Sequence, residues 1–145
     1  MFVGDLTETI KLGRQFAQKL NPQSVVLLQG PIGAGKTSFV QGIAKGLSIP
    51  ENITSPTFAL SHHYSSGKIP LIHLDLYRLD NNLMAKEFFL AEEEEANQNK
   101  AILVIEWPQS IESIIDNFWK IEISYAQNSG RNYKIWDPKN SSTFS

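Results

Sequence analysis

Ser24-Val25-Val26-Leu27-Leu28-Gln29-Gly30-Pro31-Ile32-Gly33-Ala34-Gly35-Lys36-Thr37 decides the fold. Its first six residues are a short, apolar, β-branched run that reads as a buried strand. The next eight fit G-x-x-x-x-G-K-[ST], the glycine-rich phosphate-binding pattern. Beyond them Phe39, Val40, Ile43 and Leu47 recur at helical spacing, and Gly46 is placed to cap that helix at its C-terminus. Strand, glycine turn and helix in this order are the setting in which the pattern has a physical meaning.

The chemistry follows from the residue types. Gly30, Gly33 and Gly35 free the backbone for dihedrals in which successive N–H groups converge on phosphate oxygens. The helix that starts there adds the positive end of its dipole. Lys36 is the point charge for the terminal phosphates, and the Thr37 hydroxyl is a ligand for Mg²⁺. Pro31, Ile32, Gly33, Ala34, Gly35, Lys36, Thr37 and Ser38 are thus the expected ATP-binding stretch. A plain glycine turn with a capping threonine explains neither the lysine nor the spacing.

Working outward, the 145 residues are 41% hydrophobic, enough for one domain with a proper core. A formal charge of −2 speaks against a protein that grips nucleic acid through its own electrostatics. The absence of cysteine excludes disulfides and thiolate chemistry and fits a reducing, cytoplasmic setting. No signal-peptide pattern opens the chain, and no apolar stretch approaches the ~20 residues that span a bilayer.

Upstream of the decisive stretch, Asp5 and Glu8 form a capping-box pattern. They open a helix whose apolar face is Leu6, Ile10, Phe16, Ala17 and Leu20, stopped by Asn21-Pro22. Downstream, 58–64 and 69–75 read as two strands joined by Ser65-Ser66-Gly67-Lys68, an antiparallel hairpin. Ser55 and Thr57 flank Pro56, which holds them extended, and are expected to form a switch-like segment near the terminal phosphate. Alternation places His73, Asp75 and Tyr77 on one face and Ile72, Leu74 and Leu76 on the other. Residues 81–99 read as one or two helices with a solvated glutamate face.

Ala101-Ile102-Leu103-Val104-Ile105-Glu106 is a continuous apolar strand ending in a carboxylate, the Walker B arrangement. It brings that carboxylate to the C-terminal edge of a parallel sheet, where ligands bind. A helix is expected over 108–117, then strands over 118–125 and 131–136. Two carboxylates compete for the metal. Pattern favours Glu106 as the metal-side partner of Thr37, and leaves Asp75 to orient or deprotonate an attacking water; the two roles could be exchanged. The fold expected is α/β, P-loop NTPase-like and three-layered. Its central sheet is mixed but mostly parallel, with one antiparallel hairpin and helices on both faces. A single domain spans 1–137, and 138–145 form a polar, frayed tail.

Taken together, GPIGAGKT (30–37), SPTF (55–58), HLDLYR (73–78) and IEWP (105–108) resemble the motifs of the TsaE family, also called YjeE, in order and spacing. The resemblance covers most of the chain from Ser24 to Pro108. It implies a bacterial, Mg²⁺-dependent ATPase of tRNA threonylcarbamoyladenosine formation, cytoplasmic and away from membranes. Such a protein binds a complex of TsaB and TsaD, and meets tRNA only through that complex. By motif, Lys36 and the loop amides hold phosphates, Thr37 and Glu106 stand on the Mg²⁺ side, and Asp75 is the catalytic acidic residue. Trp107 lies beside the site, and Arg131 is a candidate nucleotide contact. The chain departs from the family at Leu90-Ala91-Glu92, where a glycine is expected.

Rival readings are weighed on residues. Small-molecule kinases clamp the transferred phosphoryl group with several lid arginines, and this chain has only Arg14, Arg78 and Arg131. A GTPase needs Asn-Lys-x-Asp, and Asn99-Lys100-Ala101-Ile102 lacks the acid. A nucleotide-gated binding module with negligible turnover uses the same residues and stays open.

Overall fold

Strand β2 (Val25–Gln29) runs through the middle of the sheet, parallel to β5 (Ile102–Glu106) on one side and to β6 (Trp119–Tyr125) on the other. The computed structural model describes residues 1–138 and the backbone of Thr143–Phe144. Around β2 stand β1 (Phe2–Val3), α1 (Leu6–Ala17), α2 (Lys36–Gly46), β3 (Ser61–Tyr64), β4 (Leu71–Asp75), α3 (Asn82–Asn99), β7 (Arg131–Trp136) and β8 (Thr143–Phe144). Among the described residues the strand order is β1-β7-β6-β2-β5-β4-β3, with β8 also paired to β7. The four central strands β6, β2, β5 and β4 are mutually parallel, while β3, β7, β1 and β8 are antiparallel to their neighbours. This is the mixed P-loop-type sheet that the sequence implies, parallel in its core and antiparallel at both margins.

The central strands are apolar throughout because both faces are covered. On one face Phe16 of α1 and Phe39, Val40 and Ile43 of α2 bury Val26, Leu28, Val104 and Ile121. On the other, Ala85 and Phe89 of α3 and Ile111 bury Leu27, Ile72, Leu74, Leu103 and Ile105. Helix α1 begins as its capping pattern requires: the Asp5 side chain accepts from the Glu8 N–H at 2.9 Å. Its buried face is shifted from the expected one, however. Leu6 is exposed, whereas Thr9, Leu12 and Gly13 are buried with Phe16 and Ala17.

Glycine explains that shift. A Cβ on Gly13 would lie 2.3 Å from the Phe39 carbonyl oxygen, and one on Gly42 would lie 2.3 Å from that of Ile10. The two helices therefore touch backbone to backbone. Gly46 belongs to the same contact, since a Cβ there would meet Ala17 Cβ at 2.6 Å. Its expected role as a C-terminal cap is not what the structure shows: it is the last residue of α2, and Ser48 takes the left-handed conformation at φ 60°.

Two other expectations change. The hairpin is shorter than read at the start of each strand, so Phe58 lies in the preceding turn; β4 ends at Asp75 as expected, and Tyr77 lies in the loop beyond it rather than continuing the alternation. The segment expected as a helix over 108–117 makes only a 3-10 turn, Glu112–Ile114. β-Branched Ile111, Ile114 and Ile115, beside Ser110, Asp116 and Asn117, lower its helix propensity. The segment also has only to step across β2, about 10 Å between β5 and β6, and it buries Ile111 while doing so. Residues 81–99, by contrast, form the single helix α3, capped by Asn81. The tail expected over 138–145 lies outside the described residues apart from Pro138 and the backbone of β8. No described helix is long and apolar enough to cross a membrane.

Candidate functional site

The C-terminal ends of β2, β4 and β5 share one edge of the sheet, and the loop after β2 turns over it into α2. Gly33 and Gly35 take positive φ, 81° and 98°, which L side chains rarely adopt. A cleft of about 300 Å³ is lined by Ile32, Gly33, Gly35, Lys36, Thr37, Ser38, Ser55, Thr57, Asp75, Glu106 and Trp107. Most of the residues singled out along the sequence thus meet in one place. Pro31 faces a neighbouring cleft with Gln29 and Trp107. Ala34 and Arg131 line a third, about 290 Å³, which shares Gly33, Gly35 and Ser38 with the first.

Lys36 is buried at the first turn of α2. Its Nζ donates to the Gly30 carbonyl at 2.5 Å and approaches that of Pro31 at 3.4 Å. The same ammonium stands 3.8 Å from the centre of the Trp107 ring. Burial pulls its pKa down from the ordinary lysine value, and the charges of Glu106 and then Asp75 push it back up. Trp107 takes φ 56° as it leaves β5, and its ring packs on Tyr77 with centroids 4.8 Å apart.

Asp75 and Glu106 are register partners on adjacent parallel strands, so both carboxylates emerge side by side at the sheet edge. Both are buried. Asp75 accepts from the Thr57 hydroxyl at 2.8 Å and from the Tyr77 N–H at 2.9 Å. The Thr57 and Ser55 hydroxyls lie 2.7 Å apart, which ties the segment before β3 to the same carboxylate. Glu106 accepts from His73 Nε2 at 2.6 Å, a bond closed to water. His73 Nδ1 is also buried and finds no partner among the described residues.

Arg131 does not reach the cleft that holds Lys36. Its Nε donates to the Ala34 carbonyl at 3.2 Å and its Nη2 to that of Gly33 at 3.3 Å, on the outer side of the loop.

A helix N-terminus, a lysine, a threonine hydroxyl and two carboxylates form a donor set suited to phosphate oxygens with a hard, oxygen-loving divalent cation. The model for "Threonylcarbamoyl adenosine biosynthesis protein TsaE" matches residues 3–133. The chain belongs to the TsaE family. The TsaE protein of a Synechocystis strain is 44% identical over 112 residues, 76% of this chain and 70% of its own. That of a Nostoc strain is 38% identical over 135 residues, covering 93% and 83%. Among solved structures, the crystal structure of YdiB from Bacillus superimposes with a TM-score of 0.78 at 26% identity, covering 97% of this chain and 85% of that one. Family membership assigns the chain to tRNA threonylcarbamoyladenosine biosynthesis, and the fold accords with P-loop nucleotide binding.

Sequence reasoning missed two features of this TsaE-family site. The His73–Glu106 bond joins residues 33 apart through strand register, which no local pattern encodes. Tyr125 ends an ordinary alternating strand, yet its hydroxyl donates to the Ile32 carbonyl at 2.6 Å.

Proposed function

We propose that this chain is a Mg²⁺-dependent ATPase, carried by one domain over 1–137, that works in the cytoplasm by binding a complex of TsaB and TsaD. tRNA is met only through that complex. One observation carries the reading: Lys36, Thr37, Asp75 and Glu106 converge on one cleft at the start of α2.

Lys36 exchanges the Gly30 carbonyl and the Trp107 face for the terminal phosphates of ATP, and the loop amides bind the remaining oxygens. The nucleoside extends across the loop into the cleft bordered by Ala34 and Arg131. Thr37 and Glu106 are the residues that hold Mg²⁺, with His73 fixing the rotamer of Glu106. When bound, the ion offsets the negative charge on the β- and γ-phosphates. Asp75 orients a water and accepts its proton as the water oxygen bonds to the γ-phosphorus and the bond to the β-phosphate oxygen breaks. Thr57, hydrogen-bonded to Asp75, and Ser55, hydrogen-bonded to Thr57, sense whether the γ-phosphate is present.

A nucleotide-gated binding module is the second reading. It is favoured by Phe58, 85% exposed and adjacent to Thr57, which connects the cleft to an apolar surface residue. ATP hydrolysis measured alone and with purified TsaB–TsaD separates the two, with Lys36→Ala as the control. Turnover that requires Lys36 and rises with the complex is expected. Phosphate passing to a small acceptor, with no effect of the complex, overturns the assignment. ATP binding that tightens the complex without turnover selects the gated module.

A further inference from the structure

The last residue of β6 and the first of β7, on either side of their connecting turn, reach back to the phosphate loop with their side chains. Tyr125 Oη donates to the Ile32 carbonyl at 2.6 Å. Arg131 donates through Nη2 to the Gly33 carbonyl at 3.3 Å and through Nε to that of Ala34 at 3.2 Å. Three successive carbonyls are thereby held from the outside. The two anchors also brace each other, since the guanidinium lies 4.5 Å from the centre of the Tyr125 ring. Arg131 Nη1 is fixed in turn by the Ser129 and Gly130 carbonyls, at 2.9 and 3.1 Å.

A planar trans peptide sets its N–H opposite its C=O. Anchoring the Ile32 and Ala34 carbonyls therefore fixes the N–H groups of Gly33 and Gly35, and both glycines line the cleft that holds Lys36. The Gly33–Ala34 peptide is held at both ends, because its N–H donates to the Pro31 carbonyl at 3.1 Å. Glycine at positions 33 and 35 makes these peptides easy to rotate, and nothing lies within 4 Å of where a Gly35 Cβ would stand. An empty loop of this composition needs an external hold to keep its dipoles aimed.

We infer that Tyr125 and Arg131 are positioning residues, which orient the phosphate loop before nucleotide arrives by hydrogen-bonding the carbonyls of Ile32, Gly33 and Ala34. Arg131 acts through the loop backbone and not through its charge on the nucleotide. The inference rests on the proposed anion-binding role of the cleft, but the state of the loop is measurable without a ligand.

Tyr125→Phe keeps the ring against Arg131 and removes the hydroxyl; Arg131→Lys keeps the charge and removes the fork. ¹⁵N relaxation of the nucleotide-free protein is read at Gly33, Ala34 and Gly35. Order parameters near the rigid value of ~0.85 are expected in the parent chain and values falling toward ~0.6 in both variants, with the thermal midpoint unmoved. ATP affinity by calorimetry falls about threefold to tenfold in each variant, the worth of a hydrogen bond, and lysine at 131 does not restore it. Unchanged order parameters overturn the inference, as does wild-type affinity in Arg131→Lys, which makes 131 a charge contact. Should the parent chain bind no ATP at all, the proposed function fails while the relaxation data still decide the tether.

Discussion

Asp75 accepts hydrogen bonds from Thr57 and Tyr77, so its carboxylate is aimed by the protein's own groups. Asp75→Asn retains the size of the side chain and an oxygen for the Tyr77 N–H, but removes the base. Single-turnover hydrolysis is expected to slow by about 10²–10⁴ with ATP affinity nearly unchanged; a normal rate in rapid-quench measurements removes Asp75 from the proton transfer. At this scale the sequence was most informative where backbone chemistry demands particular residues. Glycines, lysine and threonine at fixed spacing describe a loop whose geometry is local. Arg131 was harder, because a lone arginine in a turn does not reveal whether it faces a ligand or the carbonyls behind one. Tyr125 left no local signal, since its partner, Ile32, is 93 residues away.

The contact of α1 with α2 is where element-scale packing is tightest. Gly42 admits no side chain, because its Cβ would overlap the Ile10 carbonyl. Gly42→Ala is a better helix former in isolation, yet overpacking against backbone is expected to cost the protein about 1–3 kcal/mol. Urea denaturation reads this as a lower midpoint at unchanged slope, and a midpoint at or above that of the parent chain contradicts the packing. Apolar periodicity locates α1, α2 and the central strands, although the face that α1 buries is set by its glycine contact and leaves Leu6 exposed. It misread 108–117, where Ile111 and Ile115 mimic a helical stripe although the segment needs only to cross one strand and cover the sheet. The close helix contact was equally hidden, since glycines within a helix signal their neighbours only after docking.

The molecule as a whole stays folded around β2, and Tyr133 of β7 reports on that core. Burial pushes its hydroxyl up to about 12, with Thr9 and Arg131 acting more weakly the other way. An unfolded tyrosine ionises near ~10. Between those two values the unfolded chain releases a proton that the folded chain keeps, so stability falls as pH rises, by about 1.4 kcal/mol per pH unit. The loss levels off once the folded group ionises. Urea midpoints followed from about pH 9 to about pH 12 should show this slope in the parent chain and lose that component in Tyr133→Phe. The three-layer architecture was readable from the order of strands, glycine loop and helices. The pairing of β1 with β7 was not, because pairing across most of the chain depends on partners rather than on pattern. Trp107 has a consequence for the whole chain. At φ 56° glycine is the residue that sterics favour, yet the bulkiest side chain of all stands there, against Lys36 and Tyr77. A left-handed tryptophan costs on the order of 1–2 kcal/mol, a real fraction of the roughly 5–15 kcal/mol that keeps a domain folded. The sheet edge that builds the site is thus a place where foldedness and usefulness pull in opposite directions, and here the chain has settled for less of the first.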